Sequence, residues 1–396
     1  MSTVLIAQQP SSTAPVDHWL SEVALDVDVV LFTEAGGNRD PKDYAPRTRV
    51  VATNDPYFSP EATRQLLSLC EEIRPDRIVS NAELDMIRIA TARSLFQIPG
   101  FGAALGNQLR DKLAMKVLFE EAGLPAVPHV DAQSVDDLQD ALTSFGKIVV
   151  KPRWGVGSQE VRVFENHQQL VSALVDDATF LPALSGHQLI AEEFAPGAVL
   201  HIDAVLDGEN VLFCAASEYV DPPHLFVDRD TCSVVQDPDG PVGRWAIGAC
   251  RSFAGALPHD HGIALIHFEA YHNGDSFLAG EVAGRLGGGA IKNLLRAAYG
   301  VDLSREGYLI AAGLARGSSL TREPLPPLVQ PAGMVLWTAT EPPFSPSNAP
   351  EWTCGTWQTV RAAPASNSVD SRGGTIVLGT SPEEVLARVR SISGRA

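Results

Sequence analysis

The chain has 396 residues, which is enough for two or three domains with a well-buried core. Its 48 Asp and Glu residues outnumber its 30 Lys and Arg residues, and the formal charge of −18 disfavours nucleic acid and anionic membranes as general partners. An anionic ligand therefore needs a local basic site.

The sequence carries no signal for export, membrane insertion or a cysteine framework. The first ten residues lack the basic segment and cleavage signal of a secretory leader. No apolar run reaches the roughly 18 residues that span a bilayer. The five cysteines are scattered without a close pair, so neither a zinc site nor a disulfide is indicated. We expect a cytoplasmic protein with reduced cysteines and no membrane partner.

The first 105 residues have the pattern of an α/β unit. Short apolar strands are predicted at 4–7, 29–32, 50–52 and 78–80, and Ser59 followed by Pro60 predicts the start of a helix that runs to about Ile73. Alternating strands and helices favour an open, mostly parallel sheet. Gln8-Gln9-Pro10 follows the first strand, where a dinucleotide-binding unit has a glycine fingerprint, so nicotinamide binding is not indicated.

A helix is predicted from Gln108 to about Ala122, with Asn107 as its cap and an apolar stripe at 109, 113 and 117. Lys112 and Lys116 lie one turn apart on another face. The ordinary interpretation of two such lysines is a solvated helix face.

Residues 147–194 have the pattern strand, turn, strand, helix, strand. Lys151 ends the first strand, and a turn with two glycines follows at 152–158. Such a turn can hold phosphates with its backbone N–H groups and the lysine charge, although an ordinary hairpin also fits. A P-loop is excluded because no Gly-Lys-Ser/Thr follows. The segment 189–195 is a strand with paired acids, which could offer its edge to a purine and a carboxylate to a ribose, or simply form a charged edge.

Residues 199–217 predict a hairpin across Asp207-Gly208. Residues 218–245 are irregular and predict a substrate-facing or mobile loop. His259-Asp260-His261 could bind metal, but a polar loop before a strand is the simpler interpretation. Beyond Ile310 the chain is Pro-rich, with strands predicted at 334–339 and 375–378 and a last helix opened by Ser381-Pro382. No chemistry is indicated for the Pro/Ser-rich segment 341–371.

The most informative stretch is residues 263–291, which predicts a hairpin with Asn273-Gly274 at its turn. Each arm carries one acid, Glu269 or Glu281, in an otherwise apolar strand. Two carboxylates on neighbouring strands suggest a divalent cation, although Glu281 could pair with Arg285 and Glu269 could lie at an exposed edge. The acids share a face only if the loop has an odd number of residues or one strand bulges, so we expect one of these, with Gly274 at positive φ.

Taken together, these elements resemble the ATP-grasp superfamily over nearly the whole chain, most specifically at 110–116, 148–163, 189–203 and 268–291. The resemblance implies an α/β fold with an open parallel N-terminal domain (1–105), a linker helix and mobile lid (106–190), a catalytic subdomain (191–310) and a C-terminal subdomain (311–396). It also implies a set of site residues: Lys112 and Lys151 on the ATP phosphates, Gly155, Gly157 and Ser158 in the covering loop, Glu192, Glu193, Phe194 and Ala195 around adenine, Glu269 and Glu281 on Mg2+, and Arg285 on phosphate or substrate.

Two positions depart from the family pattern. Val199 stands where a glutamate often binds the ribose, and Ala283 stands where an asparagine often binds the second metal ion. The ribose contact would then come from Glu193 or Asp203, and the metal would rely on phosphates and water.

By this resemblance, the chain is an ATP-dependent ligase that joins a carboxylate to an amine through an acyl phosphate, most like the L-amino acid ligases and carnosine synthase. Its partners are small molecules, and a homodimer is compatible with the pattern. Two alternatives stay open: a biotin-dependent carboxylase subunit, although the chain has no biotin-accepting Ala-Met-Lys-Met hairpin, and a nucleotide-binding protein without catalysis.

Overall fold

The computed structural model describes residues 2–37, 39–225, 229–258, 261–274, 276–320, 323–338, 343–358 and 371–394. Within them the chain forms one parallel sheet of four strands, one antiparallel sheet of four strands and one antiparallel sheet of eight strands. None of the helices in the described ranges is long and apolar enough to cross a membrane.

The N-terminal unit is the predicted open parallel sheet, with strand order β3-β2-β1-β4. Ser59 caps α2 by accepting the Ala62 N–H at 3.1 Å, as the sequence predicted. The carboxyl ends of β1 and β4 lead into Gln9 and Asn81, which reach the candidate site. The elements are β1 Ser2–Ala7, α1 Val16–Val23, β2 Val27–Glu34, β3 Thr48–Thr53, α2 Pro60–Ile73, β4 Arg77–Val79 and α3 Met86–Phe96.

The linker contains two helices, α4 Ala103–Gln108 and α5 Lys112–Glu121, and the prediction of one helix from residue 108 capped by Asn107 is wrong. Asp111 is the cap of α5: its backbone is extended and its side chain accepts the Leu113 N–H at 3.1 Å, which separates the two helices. The register of the buried face changes accordingly. Val117 is 48% exposed instead of buried, and Met115 and Phe119 pack into the core.

The antiparallel four-stranded sheet forms the lid, with order β5-β8-β6-β7. Asn166 accepts the Gln169 N–H at 3.0 Å and thereby caps α7, and the Gln169 side chain accepts the Glu165 N–H at 2.8 Å in return. The sequence-based boundary at residue 190 falls inside β8. The elements are β5 His129–Ala132, α6 Val135–Phe145, β6 Ile148–Pro152, β7 Arg162–Phe164, α7 His167–Asp176, α8 Phe180–Ser185 and β8 Leu189–Glu193.

The eight-stranded sheet has the order β13-β12-β9-β10-β11-β14-β16-β15, so residues beyond 311 complete the sheet that the preceding strands begin. The irregular loop predicted at 218–245 is wrong for much of its length, because this stretch contains the end of β10, all of β11 and the start of α9; its substrate-facing character is borne out at Tyr219 and 222–224, which line the candidate site. The first part of the sheet comprises β9 Ala198–Asp207, β10 Asn210–Tyr219, β11 Thr231–Val235, α9 Pro241–Ala256, β12 Leu265–Asn273 and β13 Ser276–Ala283. The remainder comprises α10 Ile291–Tyr299, α11 Leu303–Ala311, β14 Ala332–Trp337, β15 Thr353–Gln358, β16 Gly373–Leu378 and α12 Pro382–Ile392.

Two sequence-based interpretations concern residues at or beyond the edge of the described ranges. His259 and Asp260 lie outside them, and His261 is buried, with Nε2 at 3.1 Å from the Gly208 carbonyl and Nδ1 accepting the Ile263 N–H. Within the segment 341–371, the described part contains β15, which the sequence did not predict.

Candidate active site

A cavity of about 500 Å³ lies where the three sheets meet. Its wall is built from the loops after β1 and β4, the start of α5, the facing strands of the lid, and the β12–β13 hairpin with the glycine-rich turn that follows. The site residues that the sequence suggested all line this one cavity: Lys112, Lys151, Gly155, Gly157, Ser158, Glu192, Glu193, Phe194, Ala195, Glu269, Glu281 and Arg285.

The β12–β13 hairpin brings Glu269 and Glu281 together through a bulge. Asn273 pairs with Ser276 around a two-residue turn, yet Glu269 pairs directly with Glu281, because the register shifts next to Glu269 and leaves Gly280 unpaired. A Cβ at Gly280 would lie 2.9 Å from the Tyr271 ring, so the bulge needs glycine there. Gly274 has φ 66°. The prediction of an odd-numbered loop or a bulge, with Gly274 at positive φ, is confirmed, and the two carboxylates line the same cavity.

A chain of alternating charges connects α5, the lid and the hairpin. Glu192 lies between two lysines, with its oxygens 2.6 Å from Lys116 Nζ and 2.6 Å from Lys151 Nζ. Glu281 lies between Lys151 and Lys112, with its oxygens 2.8 Å from Lys151 Nζ and 3.5 Å from Lys112 Nζ. The three lysines and Glu192 are buried, and the Glu281 side chain is 28% exposed. The solvated face expected for Lys112 and Lys116 is therefore wrong: both lysines face inward, because their carboxylate partners come from distant strands.

The ion pairs shift the pKa values of Lys151, Glu192 and Glu281 toward their charged forms. Burial alone would lower the pKa of Lys151, but Glu192 and Glu281 outweigh it and raise that pKa well above its usual value. Burial would raise the pKa of Glu281, whereas Lys112 and Lys151 hold it far below its usual range. Lys116 is the exception in direction, since burial lowers its pKa more than Glu192 raises it. Its Nζ also donates to the Gly280 carbonyl at 2.8 Å, which ties α5 to the bulge.

The glycine-bearing turn after β6 is held by the start of α5. Three successive carbonyls are bound: the Arg153 carbonyl by the Lys112 N–H at 3.0 Å, the Trp154 carbonyl by Arg110 at 2.7 Å, and the Gly155 carbonyl by Lys112 Nζ at 2.8 Å. Gly157 and Ser158 follow with φ of 60° and 59°. Left-handed backbone at a serine costs energy, which a surrounding structure or a ligand must offset.

The segment after β8 offers backbone groups to a flat ligand. The Phe194 N–H donates to the Lys147 carbonyl at 2.9 Å, and the Lys147 ammonium lies 4.0 Å from the centre of the Phe194 ring, so this side chain is fixed. Within the described ranges, no acceptor bonds the Ala195 N–H, which lines the cavity.

Arg285 does not pair with Glu281, so the simple ion pair considered from the sequence is wrong. Its Nε and Nη2 both bind one oxygen of Glu83, the Nε at 2.8 Å, and its Nη1 donates to the Leu286 carbonyl at 2.8 Å. Arg110 binds the other oxygen of Glu83. Burial would lower the pKa of Arg285, but Glu83 raises it above its usual value, so the guanidinium is charged.

Asp203 is not available to a ribose. Of the two residues considered for the ribose contact that Val199 cannot make, this leaves Glu193. Asp203 is fully buried, with His201 at 3.3 Å, His267 at 3.2 Å, and the Gly287 N–H at 2.6 Å. Although burial opposes it, Asp203 raises the pKa of His267 to about 9. His267 is thus a cation in the cavity wall, 3.7 Å from Glu269.

Several of these residues escaped the sequence reasoning, above all Glu83, Arg110 and His267. One signal could have indicated Glu83: it follows β4, and loops at the carboxyl ends of parallel strands commonly form ligand sites. Nothing local marks the partners of Arg110, because Glu83 and Trp154 lie 27 and 44 residues away from it.

Comparisons with known proteins bear on the fold. No family model matches the chain. Over 256 residues it is 25% identical to the L-arginine-specific L-amino acid ligase of Bacillus subtilis, a match that spans 63% of this chain and only 60% of that relative. The L-amino acid ligase of Bacillus licheniformis superposes with a TM-score of 0.71 at 16% identity, covering 100% of this chain and 98% of the other. The chain has the ATP-grasp fold.

Other proteins with the ATP-grasp fold are equally similar in shape. The biotin carboxylase domain of the Hydrogenobacter thermophilus 2-oxoglutarate carboxylase superposes with a TM-score of 0.70 at 15% identity, covering 99% of this chain and 89% of that one, and its structure contains MgADP, ADP and bicarbonate. The ATP-grasp resemblance drawn from the sequence is confirmed, and shape alone does not separate ligases from carboxylases.

Proposed function

We propose that this chain is an ATP-dependent ligase that joins a carboxylate to an amine, giving an amide, ADP and phosphate. One observation carries the proposal: the residues that the ATP-grasp resemblance suggested line one cavity where the three sheets meet. The similarity to two L-amino acid ligases supports small, amino-acid-like substrates.

Nucleotide binding is assigned to the lid side of the cavity. The backbone of Glu193 to Ala195 takes the adenine edge, and the Glu193 carboxylate takes the ribose that Val199 cannot hydrogen-bond. Lys112 and Lys151 take the phosphates, and the turn that contains Gly155, Gly157 and Ser158 covers them. Lysine ammonium groups and backbone N–H groups are the usual partners of transferring phosphates.

The metal assignment rests on Glu269 and Glu281. In the described part of the chain, no cluster of three or more His, Cys, Asp or Glu side chains could hold a metal ion. Two carboxylates on paired strands nevertheless fit Mg2+, which is commonly held by one or two carboxylates together with water and substrate phosphates. When bound, Mg2+ would neutralise charge on the phosphoryl group and orient it.

The reaction then needs two displacements. A carboxylate oxygen of the first substrate attacks the γ-phosphorus of ATP. The bond between this phosphorus and the bridging β-phosphate oxygen breaks, ADP departs, and the substrate becomes an acyl phosphate. The amine nitrogen of the second substrate attacks the acyl carbon, loses its proton, and expels phosphate. Arg285 lines the cavity, and its guanidinium is assigned to the carboxylate and then to the acyl phosphate oxygens.

Phosphate release from ATP, measured across a panel of paired amino acids and other carboxylates with products identified by mass, tests this function. Amide products with stoichiometric ADP are expected. Turnover that depends on bicarbonate would identify a carboxylase instead. Tight ATP binding with no turnover on any substrate pair of the panel would identify a nucleotide-binding protein without catalysis.

A further inference from the structure

Glu83 stands at the meeting point of three parts of the chain. It belongs to the N-terminal unit, in the loop after β4, whereas Arg285 follows β13 and Arg110 precedes α5. One carboxylate oxygen binds Arg285 and the other binds Arg110. Only 14% of the Glu83 side chain is exposed, so both ion pairs are largely shielded from water.

The two arginines act on opposite ends of the proposed reaction. Arg285 lines the cavity where the carboxylate substrate is assigned, while Arg110 binds the Trp154 carbonyl at 2.7 Å within the turn assigned to the phosphates. Burial would raise the pKa of Glu83, but Arg285 and Arg110 outweigh it and hold that pKa below its usual value. The carboxylate is therefore charged and shared between two cations.

A substrate anion at Arg285 must compete with Glu83 for the same guanidinium. If such an anion draws Arg285 away, Glu83 would keep Arg110 as its main partner, and that pair would hold Arg110 toward the Trp154 carbonyl. Coupling between two sites is reciprocal, so closure of the turn must then favour substrate binding by the same factor.

We propose that Glu83 is a positioning residue that couples the carboxylate-binding Arg285 to the phosphate-covering turn at 152–158, through Arg110. This coupling rests on the proposed function for the identity of its substrates, but the effect of Glu83 on the turn can be measured without any substrate. A purely structural Glu83 would stabilise the fold and leave both ends of the cavity independent.

Tryptic cleavage after Arg153 measures the turn directly. Lys151 precedes a proline and is resistant to trypsin, so cleavage at Arg153 is identified by the mass of its fragments. We expect Glu83→Gln and Arg110→Gln each to speed this cleavage about tenfold or more, the effect of losing a hydrogen bond from a charged group. Glu120→Gln, an exposed position on α5, is the matched control and keeps the original rate.

The double variant decides whether the effects are coupled. Glu83 acts on the turn only through Arg110, so Glu83→Gln with Arg110→Gln should be cleaved no faster than Arg110→Gln alone. Rates that multiply would overturn the coupling, as would an unchanged rate in either single variant. If Glu83→Gln does not fold, Glu83→Asp, which keeps the charge but shortens the reach to Arg110, takes its place in the same comparison and should also speed cleavage at Arg153.

Steady-state kinetics on an active substrate pair add the second arm. Glu83→Gln removes the anion that competes for Arg285, so it should lower KM for the carboxylate about tenfold or more, whereas Arg110→Gln leaves Glu83 to Arg285 alone and should raise KM for both the carboxylate and ATP. A carboxylate KM that changes in the same direction in both variants would overturn the coupling. A wild-type protein without ATP-dependent product would refute the proposed function, while the cleavage experiment would still decide the role of Glu83.

Discussion

Glu281 gives the sharpest test of the metal assignment, because two demands compete for its carboxylate. Without ligands it holds Lys151 at 2.8 Å and Lys112 at 3.5 Å. Under the proposed function both lysines serve the nucleotide phosphates, and the carboxylate serves Mg2+. Glu281→Gln therefore removes a metal ligand and releases two cations in one step.

Coulomb's law gives the size of that release. At an effective dielectric constant of about 20, the pair at 2.8 Å is worth about 6 kcal/mol and the pair at 3.5 Å about 5 kcal/mol. The freed lysines regain part of this from water and, for Lys151, from Glu192. If about a quarter of the summed attraction remains available to the ATP phosphates, the gain in binding free energy is roughly 3 kcal/mol. Metal-free ATP should then bind Glu281→Gln about a hundredfold more tightly than wild type.

Calorimetric titration of ATP in EDTA and in Mg2+ measures both effects. Glu269→Gln is the matched control, because it removes the other assigned metal ligand and releases no lysine, while its neighbour His267 keeps Asp203 at 3.2 Å. We expect both variants to lose Mg2+-dependent turnover, and only Glu281→Gln to gain affinity in EDTA. If Glu281→Gln binds metal-free ATP no more tightly than Glu269→Gln, the competition is absent; if both keep wild-type turnover in Mg2+, neither carboxylate binds the metal.

Three further outcomes are expected. Arg285→Met should cut amide formation by about a hundred- to a thousandfold while ATP affinity and Tm stay close to wild type, since Glu83 keeps Arg110; early unfolding with full activity of the folded fraction would contradict this. Amides of residues 155–158 should exchange hydrogen faster than the flanking strands and slow when ATP binds, and equal protection in both states would indicate an ordinary hairpin. The charged pair of His267 and Asp203 contributes roughly 3 kcal/mol to the free energy of unfolding; this contribution is complete below about pH 6.5 and is lost as the pH rises through about 9. Urea unfolding at pH 6 and at pH 10 should show the loss in wild type but not in Asp203→Asn.

Local signals in the sequence predicted much of the fold. Turn dipeptides located the hairpins at Gly208 and Gly274, and Ser59-Pro60 located the start of α2. Counting predicted either an odd-numbered loop or a bulge, because two acids twelve residues apart cannot share a face across a simple two-residue turn, and the structure has the bulge. These features depend on residues close in sequence, where turn geometry and strand alternation decide the outcome.

The missed elements depend on distant partners. Helix α9 carries Gly243, Gly248 and Gly255, each of which costs about 1 kcal/mol relative to alanine, so its sequence does not favour a helix. It forms because a buried apolar face that includes Ala246, Ala249 and Phe253 packs into the core beside β10. Lys116 looked like a surface residue for the same reason, since its partner Glu192 lies 76 positions away on strand β8 of the lid.

The two ion networks of the cavity share one property that explains how a protein of charge −18 can bind anions. Each contains one more cation than carboxylate. In the first, three lysines surround two carboxylates; in the second, two arginines surround Glu83. The cavity-lining cation that ends each network is Lys112 in one and Arg285 in the other. An anion that binds at either end completes the alternation of charges and leaves no buried carboxylate without a partner, which would otherwise cost several kcal/mol. The two ends are the places where the phosphate and the carboxylate of the proposed reaction must be brought together, so the surplus charges account for both anions that the chemistry requires.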